Sequence, residues 1–232
     1  MNPTISNMKR KVIQLAFQKT IPVMVGYLVL GFGYGIYSAS KSYGLGWVFP
    51  ISLFVYAGTM QYVLVDLLVS HASVLEGLLT TFMVNARHLF YGISMLEPYQ
   101  VLKKEKPYVI FALTDETYSL VVQEVPEGIS KRWYYFFISL FDHCYWVLGS
   151  CLGALVGSAN IIPSKGIEFS MTALFLTVFL DQWKEKQDHF SALFGLVASI
   201  GSILLFGKDH FLIPTMILIA LALYIRGKRE RI

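Results

Sequence analysis

The chain has little charge for its length. Only 15% of its 232 residues are Asp, Glu, Lys or Arg, whereas 55% are apolar, and the mean hydropathy is +0.56. This charge is too small to cover a soluble globule of this size, so that class of protein is excluded. In lipid, a helix satisfies its own backbone hydrogen bonds. The sequence therefore predicts an all-α polytopic membrane protein.

Cysteines and catalytic motifs are also scarce. The two cysteines, Cys144 and Cys151, lie on one predicted helix, roughly 10 Å apart by helical rise, which excludes a disulfide between them. The sequence contains no zinc-type Cys/His spacing, no G-x-x-x-x-G-K-[ST], no H-E-x-x-H and no G-x-S-x-G. We therefore predict no metal site, cofactor, catalytic residue or ATP hydrolysis. The net charge of +4 is assigned to membrane topology, not to a nucleic-acid partner.

The sequence contains up to eight apolar runs. A helix that crosses a bilayer core about 30 Å thick requires roughly 17–25 predominantly apolar residues. Several runs are short, and 108–124 carries two adjacent carboxylates, so it is either a membrane helix or an interfacial one. We expect seven or eight membrane helices, in a transmembrane domain at 21–225 between basic tails at 1–20 and 226–232. The runs are 21–39, 47–70, 74–96, 108–124, 133–159, 167–183, 190–206 and 211–225.

Lys and Arg set the orientation of a membrane protein, because they are enriched in cytoplasmic loops. If 108–124 crosses the membrane, a cytoplasmic N-terminal tail places the larger number of Lys and Arg residues on the cytoplasmic side. The basic loop 97–107 would then be the exception, because it would lie outside. If it does not cross, an external N-terminal tail satisfies the rule equally well. Both models place 226–232 in the cytoplasm, and the first is favoured because it keeps the N-terminal charges inside.

Two glycine-containing segments resemble each other. The stretch 27-YLVLGFGYG-35 aligns with 145-YWVLGSCLG-153 at an offset of 118 residues. This is either chance similarity between Gly- and Leu-rich helices or an internal repeat, which in transporters commonly builds the site at the repeat interface. If 108–124 does not cross, the copies would be inverted.

The glycines of the first segment allow two interpretations. Gly31 and Gly35 are four residues apart, so they can let another helix approach closely. Alternatively, the segment is an interrupted helix whose loosened backbone faces a ligand.

A cationic motif lies inside the apolar run 74–96, where Asn85, Arg87 and His88 stand close together. A charged side chain at the centre of a membrane helix costs about 2.5–3.5 kcal/mol on insertion scales, so Arg87 requires a partner or water. It either pairs with a carboxylate or helix-end carbonyl groups to hold the bundle, or it contacts a substrate. His88 is expected to make an ordinary hydrogen bond.

Carboxylates occupy the middle of the short run 108–124, in the stretch 114-TDETYS-119. Adjacent helical residues point about 100° apart, so at most one of Asp115 and Glu116 faces the same cavity as Arg87, and Asp115 is favoured.

Other polar side chains complete a predicted cavity. Gln61 lies among small residues of the second run, and Asp142 and His143 lie in the fifth. A cation, carboxylates, amides and apolar walls are the parts needed to bind a zwitterion with an apolar side chain.

Four motifs follow one another between about residues 20 and 120, namely LVLGFGYG, FVYAGTMQY, VNARHLFYG and LTDETYSL. In order and spacing they resemble the AzlC family of branched-chain amino acid permeases, which includes the YgaZ-type exporters. The resemblance implies a secondary transporter in the bacterial plasma membrane that exports valine, leucine or isoleucine. It also implies a partner, a small membrane subunit of the AzlD family.

The resemblance further implies site residues, because the family's motif positions fall on Gly58 and on eight other residues. The expected substrate-binding residues are Arg87, Asn85, Gln61, Gly31 and Gly35. The expected proton-coupling or ammonium-binding residues are Asp115, Glu116 and His88.

Two other functions stay open at this point. The chain is alternatively a scaffold subunit whose buried charges are structural, or an exporter of another zwitterion. An intramembrane enzyme with Asp115 or His143 as base lacks any supporting motif.

Overall fold

All regular secondary structure in the described part of the chain is helical, which confirms the all-α prediction. The computed structural model describes residues 3–159, 176, 180, 183, 189–207, 211, 214–215, 217–219, 221–222 and 226, without the side chains of 3–9, Arg87 and Ser191. The chain divides into two units, Met1–Met171 and Thr172–Ile232. The helices are α1 (Pro3–Ser40), α2 (Leu45–Phe54), α3 (Gly58–Val69), α4 (Val74–Asn85), α5 (Arg87–Ser94), α6 (Lys106–Phe111), α7 (Asp115–Val121), α8 (Lys131–Ser158) and α9 (Phe190–Phe206), with a 3-10 turn at Pro98–Val101.

Two long apolar helices, α1 and α8, form the centre of the first unit. The segments Arg10–Ser40 and Lys131–Ser158, of 31 and 28 residues, are long and apolar enough to cross a bilayer, since each residue adds about 1.5 Å. The predicted run 21–39 lies within the first helix, and the predicted run 133–159 coincides with the second up to Ser158. Many large apolar side chains stay exposed on this unit, for example Val29 and Leu155, as expected of surfaces that face lipid.

Glycines let α1 and α8 touch at the backbone. A Cβ added to Gly35 would lie 2.1 Å from the carbonyl oxygen of Ser150, and one added to Gly153 would lie 2.0 Å from that of Phe32. No side chain fits at either position, so the interpretation of close helix approach is confirmed for Gly35. The interpretation of a helix break in this segment is wrong, because α1 continues to Ser40.

The residues of α1 and α8 that contact each other are those that correspond in the sequence alignment. A Cβ on Gly31 would meet the backbone of Trp146, and a Cβ on Gly149 would meet the backbone of Leu28. Residues 28 and 31 correspond to 146 and 149 at the offset of 118, so each copy offers the same residues to the other, as in a two-fold symmetric interface. The copies run in the same direction. The expectation of inverted copies is therefore wrong for these two helices.

The second apolar run folds as a helical hairpin, α2–α3, called hairpin 1. It starts with Gly44 beside Ser158, at the C-terminal end of α8, and α2 descends until Leu53 contacts His143 in the middle of α8. The chain turns at 55–57, and α3 then returns along α1.

Contacts along α3 establish that return. Tyr62 donates a hydrogen bond to the carbonyl of Leu30 at 2.9 Å, and the hydroxyl of Tyr37, nearer the end of α1, donates to Asp66. The prediction of one continuous helix over 47–70 is therefore wrong. Tyr56 in the turn has φ +43°, a left-handed conformation that a helix excludes.

The run 108–124 folds as a second hairpin, α6–α7, called hairpin 2, which approaches from the N-terminal end of α8. Tyr108 in α6 packs on Phe136, and α7 returns so that Val121 joins the buried cluster containing Tyr134. Thr114 turns the chain at 112–114 and caps α7 by accepting a hydrogen bond from the backbone of Thr117 at 3.3 Å. The run is therefore neither a single membrane helix nor a single interfacial helix, but two short helices that return toward the end from which they start.

Helices α4 and α5 connect the two ends of the pair α1–α8. Ser73 caps α4 next to the end of α3, whereas Met95, just after α5, packs in the cluster with Val12 and Tyr135 at the opposite end. The two helices are separated at Ala86.

The second unit contains α9, which coincides with the predicted run 190–206. The predicted runs 167–183 and 211–225 lie largely outside the described residues. The number of seven or eight membrane helices therefore stays a prediction.

An ion pair fixes the loop before α6 to the start of α8. Arg132 donates from Nη2 to Oε2 of Glu105 at 2.9 Å, and its Nε bonds the other carboxylate oxygen. The hydrogen bonds from Arg132 lower the pKa of Glu105 from its usual 4.5 to about 2. Because the folded-state pKa is the lower one, the pair stabilises the fold above pH 4.5, and this is lost as the pH falls toward 2.

We expect Glu105→Gln to lower the free energy of unfolding at neutral pH by about 1 kcal/mol or less, because the pair is partly exposed and screened. The difference from wild type should vanish as the pH falls from 4.5 to 2. Thermal unfolding of detergent-purified protein across that interval measures it. Glu124→Gln, at an exposed residue, is the control, and a difference that persists at the acid end would contradict the pair's role.

Candidate functional site

The turns of the two hairpins meet in the middle of α8. Tyr56 from hairpin 1 and Phe111 from hairpin 2 have ring centroids 6.2 Å apart. Both pack on His143, at 4.3 and 5.8 Å, and His143 is the thirteenth of the 28 residues of α8. Two hairpins that approach from opposite ends of α8 therefore close against each other near its centre.

A chain of hydrogen bonds runs from α1 into hairpin 2. The Tyr27 hydroxyl donates to Oε2 of Glu116 at 2.7 Å and also lies 2.6 Å from Oγ1 of Thr114. Thr114 is in turn 3.1 Å from the hydroxyl of Thr117. Tyr27, Thr114 and Thr117 are all buried.

The chain of hydrogen bonds ends on α8. Thr117 donates to Oδ2 of Asp142 at 2.9 Å, and Asp142 has no exposed surface. Among the described residues its Oδ1 has no hydrogen-bond partner. The neighbouring His143 bonds the hydroxyl of Tyr108 through Nδ1 at 3.1 Å. The adjacent residues Asp142 and His143 thus both face hairpin 2.

A cavity of about 410 Å³ lies between the α4–α5 junction and hairpin 2. Asn85 and His88 contribute polar groups, whereas Phe111 and Leu113 contribute apolar surface. At the junction, Nδ1 of His88 is 3.2 Å from the carbonyl oxygen of Asn85. The size and the mainly apolar lining fit a small ligand with few polar groups.

The residues expected from the sequence fall into separate places. Asn85 and His88 line the cavity, Asp115 begins α7, and Glu116 joins the hydrogen-bond chain. The side chain of Arg87 lies outside what is described.

Three other expected residues lie where helices pack. Gly31 and Gly35 are at the contact of α1 with α8. Gln61 is fully buried, donates to Ser52 at 3.1 Å and accepts from Trp146 at 2.7 Å.

Sequence reasoning missed most of the hydrogen-bond chain. Tyr27, Thr114 and Thr117 carried no signal, because hydroxyl side chains are ordinary in membrane helices. Asp142 and His143 did carry one, as adjacent polar residues inside an apolar run, but neither was selected as a site residue.

Comparison with known proteins identifies relatives across most of the chain. A family model described as AzlC protein matches residues 22–159. The branched-chain amino acid transport protein AzlC of Bacillus subtilis is 42% identical, covering 88% of this chain and 81% of that protein. A membrane protein of Haemophilus influenzae is 41% identical, over 95% and 91% of the two chains. The inner membrane protein YgaZ of Escherichia coli is 28% identical, over 86% and 82%. No solved structure matches significantly.

Proposed function

Because the chain belongs to the AzlC family, we propose that it is a secondary transporter that exports branched-chain amino acids across the bacterial plasma membrane. The observation that carries the proposal is the closure of two hairpins, from opposite ends of α8, beside a cavity and a hydrogen-bonded group of carboxyls and hydroxyls. Such a site can open alternately to either end when one hairpin moves. The name of the Bacillus subtilis relative supplies the substrate class.

The cavity between the α4–α5 junction and hairpin 2 is proposed to hold the amino acid. Its apolar walls suit an isopropyl or isobutyl side chain, and Asn85 and His88 offer hydrogen bonds to the polar end. Arg87, next in the chain to the cavity residue Ala86, is proposed to bind the carboxylate through its planar guanidinium. Asp115 and Glu116 are proposed to bind the ammonium group or a coupling proton.

The orientation is proposed from the basic residues. Seven of the ten between residues 10 and 159 gather near the N-terminal ends of α1 and α8, whereas Lys19 lies further along α1, Arg87 begins α5 and Lys41 lies at the opposite end. By the positive-inside rule the end with the seven residues faces the cytoplasm, and a cytoplasmic 226–232 is proposed from its own basic residues. The clustered residues are Arg10, Lys11, Lys103, Lys104, Lys106, Lys131 and Arg132.

The chain is further proposed to act as the large subunit beside a small membrane partner of the AzlD type. Transport assays therefore include that partner. We propose no enzymatic activity.

Filling the cavity tests the function directly. Gly92 lines it, and a Cβ added there meets no atom within 4 Å, so Gly92→Leu puts a side chain into the cavity without displacing backbone. We expect leucine efflux from preloaded cells to fall about tenfold or more, since tenfold requires only about 1.4 kcal/mol of lost binding. Efflux of labelled leucine, at equal amounts of protein in the membrane, measures it.

Gly77→Leu is the matched control. Gly77 lies in α4, also has no atom within 4 Å of an added Cβ, and does not line the cavity. Normal efflux in Gly92→Leu would reject the cavity as the substrate site. Wild-type protein that adds no efflux would reject the proposed function.

A further inference from the structure

The hydrogen-bond chain between Glu116 and Asp142 contains more contacts than hydroxyl hydrogens. Its four oxygen–oxygen contacts measure 2.7, 2.6, 3.1 and 2.9 Å. All four are hydrogen-bond distances, and each needs one hydrogen between its oxygens. The three hydroxyl groups of Tyr27, Thr114 and Thr117 supply one hydrogen each. One hydrogen is missing.

Either of the two carboxyl groups at the ends of the chain of hydrogen bonds can supply the missing hydrogen. A carboxylate only accepts hydrogen bonds, whereas a protonated carboxyl also donates one. If Glu116 or Asp142 is protonated, all four contacts are satisfied. If both are ionised, one short contact joins two oxygens without a hydrogen, and burial makes such a contact costly.

We propose that Glu116 and Asp142 share a single proton through Tyr27, Thr114 and Thr117, and that this relay carries the proton coupled to transport. When the proton is on Asp142, its O–H donates to Thr117, Thr117 donates to Thr114, Thr114 to Tyr27, and Tyr27 to Glu116. When it is on Glu116, every donation is reversed. The transfer breaks four O–H bonds and forms four, and its net result is one proton moved between the carboxyls.

The two ends of the relay differ in access. Glu116 is partly exposed, whereas Asp142 is fully buried and keeps Oδ1 without a partner in the described part of the chain. Glu116, the more accessible end, is therefore assigned the exchange of protons with the surroundings. Asp142 lies beside the hairpin contact, where movement of hairpin 2 would carry Thr117 away from it and break the relay.

The groups around Asp142 contribute hydroxyls, one imidazole and the carboxyl of Glu116. No described lysine or arginine side chain is hydrogen-bonded or ion-paired to it, and protonation would remove the cost of its buried charge. The titratable groups facing it are Tyr27 from α1, Tyr56 from hairpin 1, Tyr108 and Glu116 from hairpin 2, and His143 and Tyr145 from α8.

The coupling role rests on the proposed function, so the test separates the two. Protein and small subunit are reconstituted in liposomes containing a pH-sensitive dye. Two rates are measured, the exchange of labelled for unlabelled leucine and the proton flux driven by a leucine gradient. Exchange needs only substrate binding and hairpin movement, whereas the flux needs the relay.

Thr117→Val removes one hydroxyl of the relay with little change of volume. We expect exchange to remain and the leucine-driven proton flux to fall to the level of protein-free liposomes. Thr117→Ser, which restores the hydroxyl, should restore the flux. Thr20→Val is the matched control, because Thr20 is equally buried and bonds Tyr145 outside the relay.

Infrared spectra test whether Glu116 and Asp142 share one proton, and this test does not depend on transport. At neutral pH the carbonyl band of protonated carboxyl groups in the wild type should exceed that of the double variant E116Q/D142N by one group per chain. A difference of zero or of two protonated carboxyl groups per chain would overturn the proposal. A proton flux in Thr117→Val equal to that of the wild type would also overturn it. If the wild type exchanges leucine but shows no proton flux, the coupling role is overturned. If the wild type exchanges no leucine at all, the proposed function is rejected. The infrared result alone then decides whether the two carboxyl groups share a proton.

Discussion

Gly153→Ala is expected to lower the free energy of unfolding by about 3 kcal/mol, at the upper end of the range for overpacked interiors. The added methyl group would lie 2.0 Å from the carbonyl oxygen of Phe32 and 2.7 Å from its carbon. These are backbone atoms of a long helix, so they cannot rotate aside as a flexible side chain does. Helices α1 and α8 would have to separate over several turns.

Thermal unfolding of the detergent-purified protein, followed by the loss of its monodisperse chromatographic peak, measures this effect. Gly26→Ala is the control, because an added Cβ there meets no atom within 4 Å and alanine favours the helix by about 1 kcal/mol. Wild-type stability in Gly153→Ala would mean that the two helices are not in backbone contact. Gly35→Ala should behave like Gly153→Ala, because the two positions are equivalent in the repeat.

Gln61→Leu is expected to cost about 3 kcal/mol, because it leaves Trp146 and Ser52 without their buried partner, at about 1–3 kcal/mol for each unsatisfied group. The Gln61 amide accepts from Nε1 of Trp146 and donates to Ser52, so it joins α3 to both α8 and α2. The same unfolding assay measures the loss. Gln100→Leu, at an exposed residue, is the control.

The result also bears on the expected role of Gln61 in substrate binding. A residue that only binds substrate would tolerate leucine in the unfolding assay and lose transport. A residue that joins helices would lose stability first. Unchanged stability in Gln61→Leu together with lost leucine exchange would therefore contradict the role argued from its hydrogen bonds.

The long helices could be predicted from the sequence, and the hairpins could not. Hydropathy averages over a window, and the turn of hairpin 1 consists of Val55, Tyr56 and Ala57, which are as apolar as the helices beside them. The reversal depends on contacts with α8, which lies far along the chain. Hairpin 2 left a trace, because Thr114 before two acidic residues is a typical helix start.

The candidate site was predictable only where charge made it visible. Glu116 and the segment around Arg87 stand out in apolar runs because ionised groups are costly in lipid. Tyr27 and Thr117 have no such signature, since the chain contains 14 tyrosines and only the fold selects one of them. The repeat was likewise undecided by alignment, and the reciprocal contacts of Gly31 and Gly149 agree with it.

The packing of hairpin 1 on α8 determines the order in which the chain can fold during synthesis. Its beginning lies against α8 at Ser158, and its turn lies against α8 at His143. At about 5–20 residues per second, α8 leaves the ribosome on the order of several seconds after hairpin 1. During this interval hairpin 1 can contact α1, through Tyr62 and Asp66, but α8 is not yet present. The contacts of hairpin 1 with α8 therefore form only after α8 has been translated, as a late step in the packing of the chain.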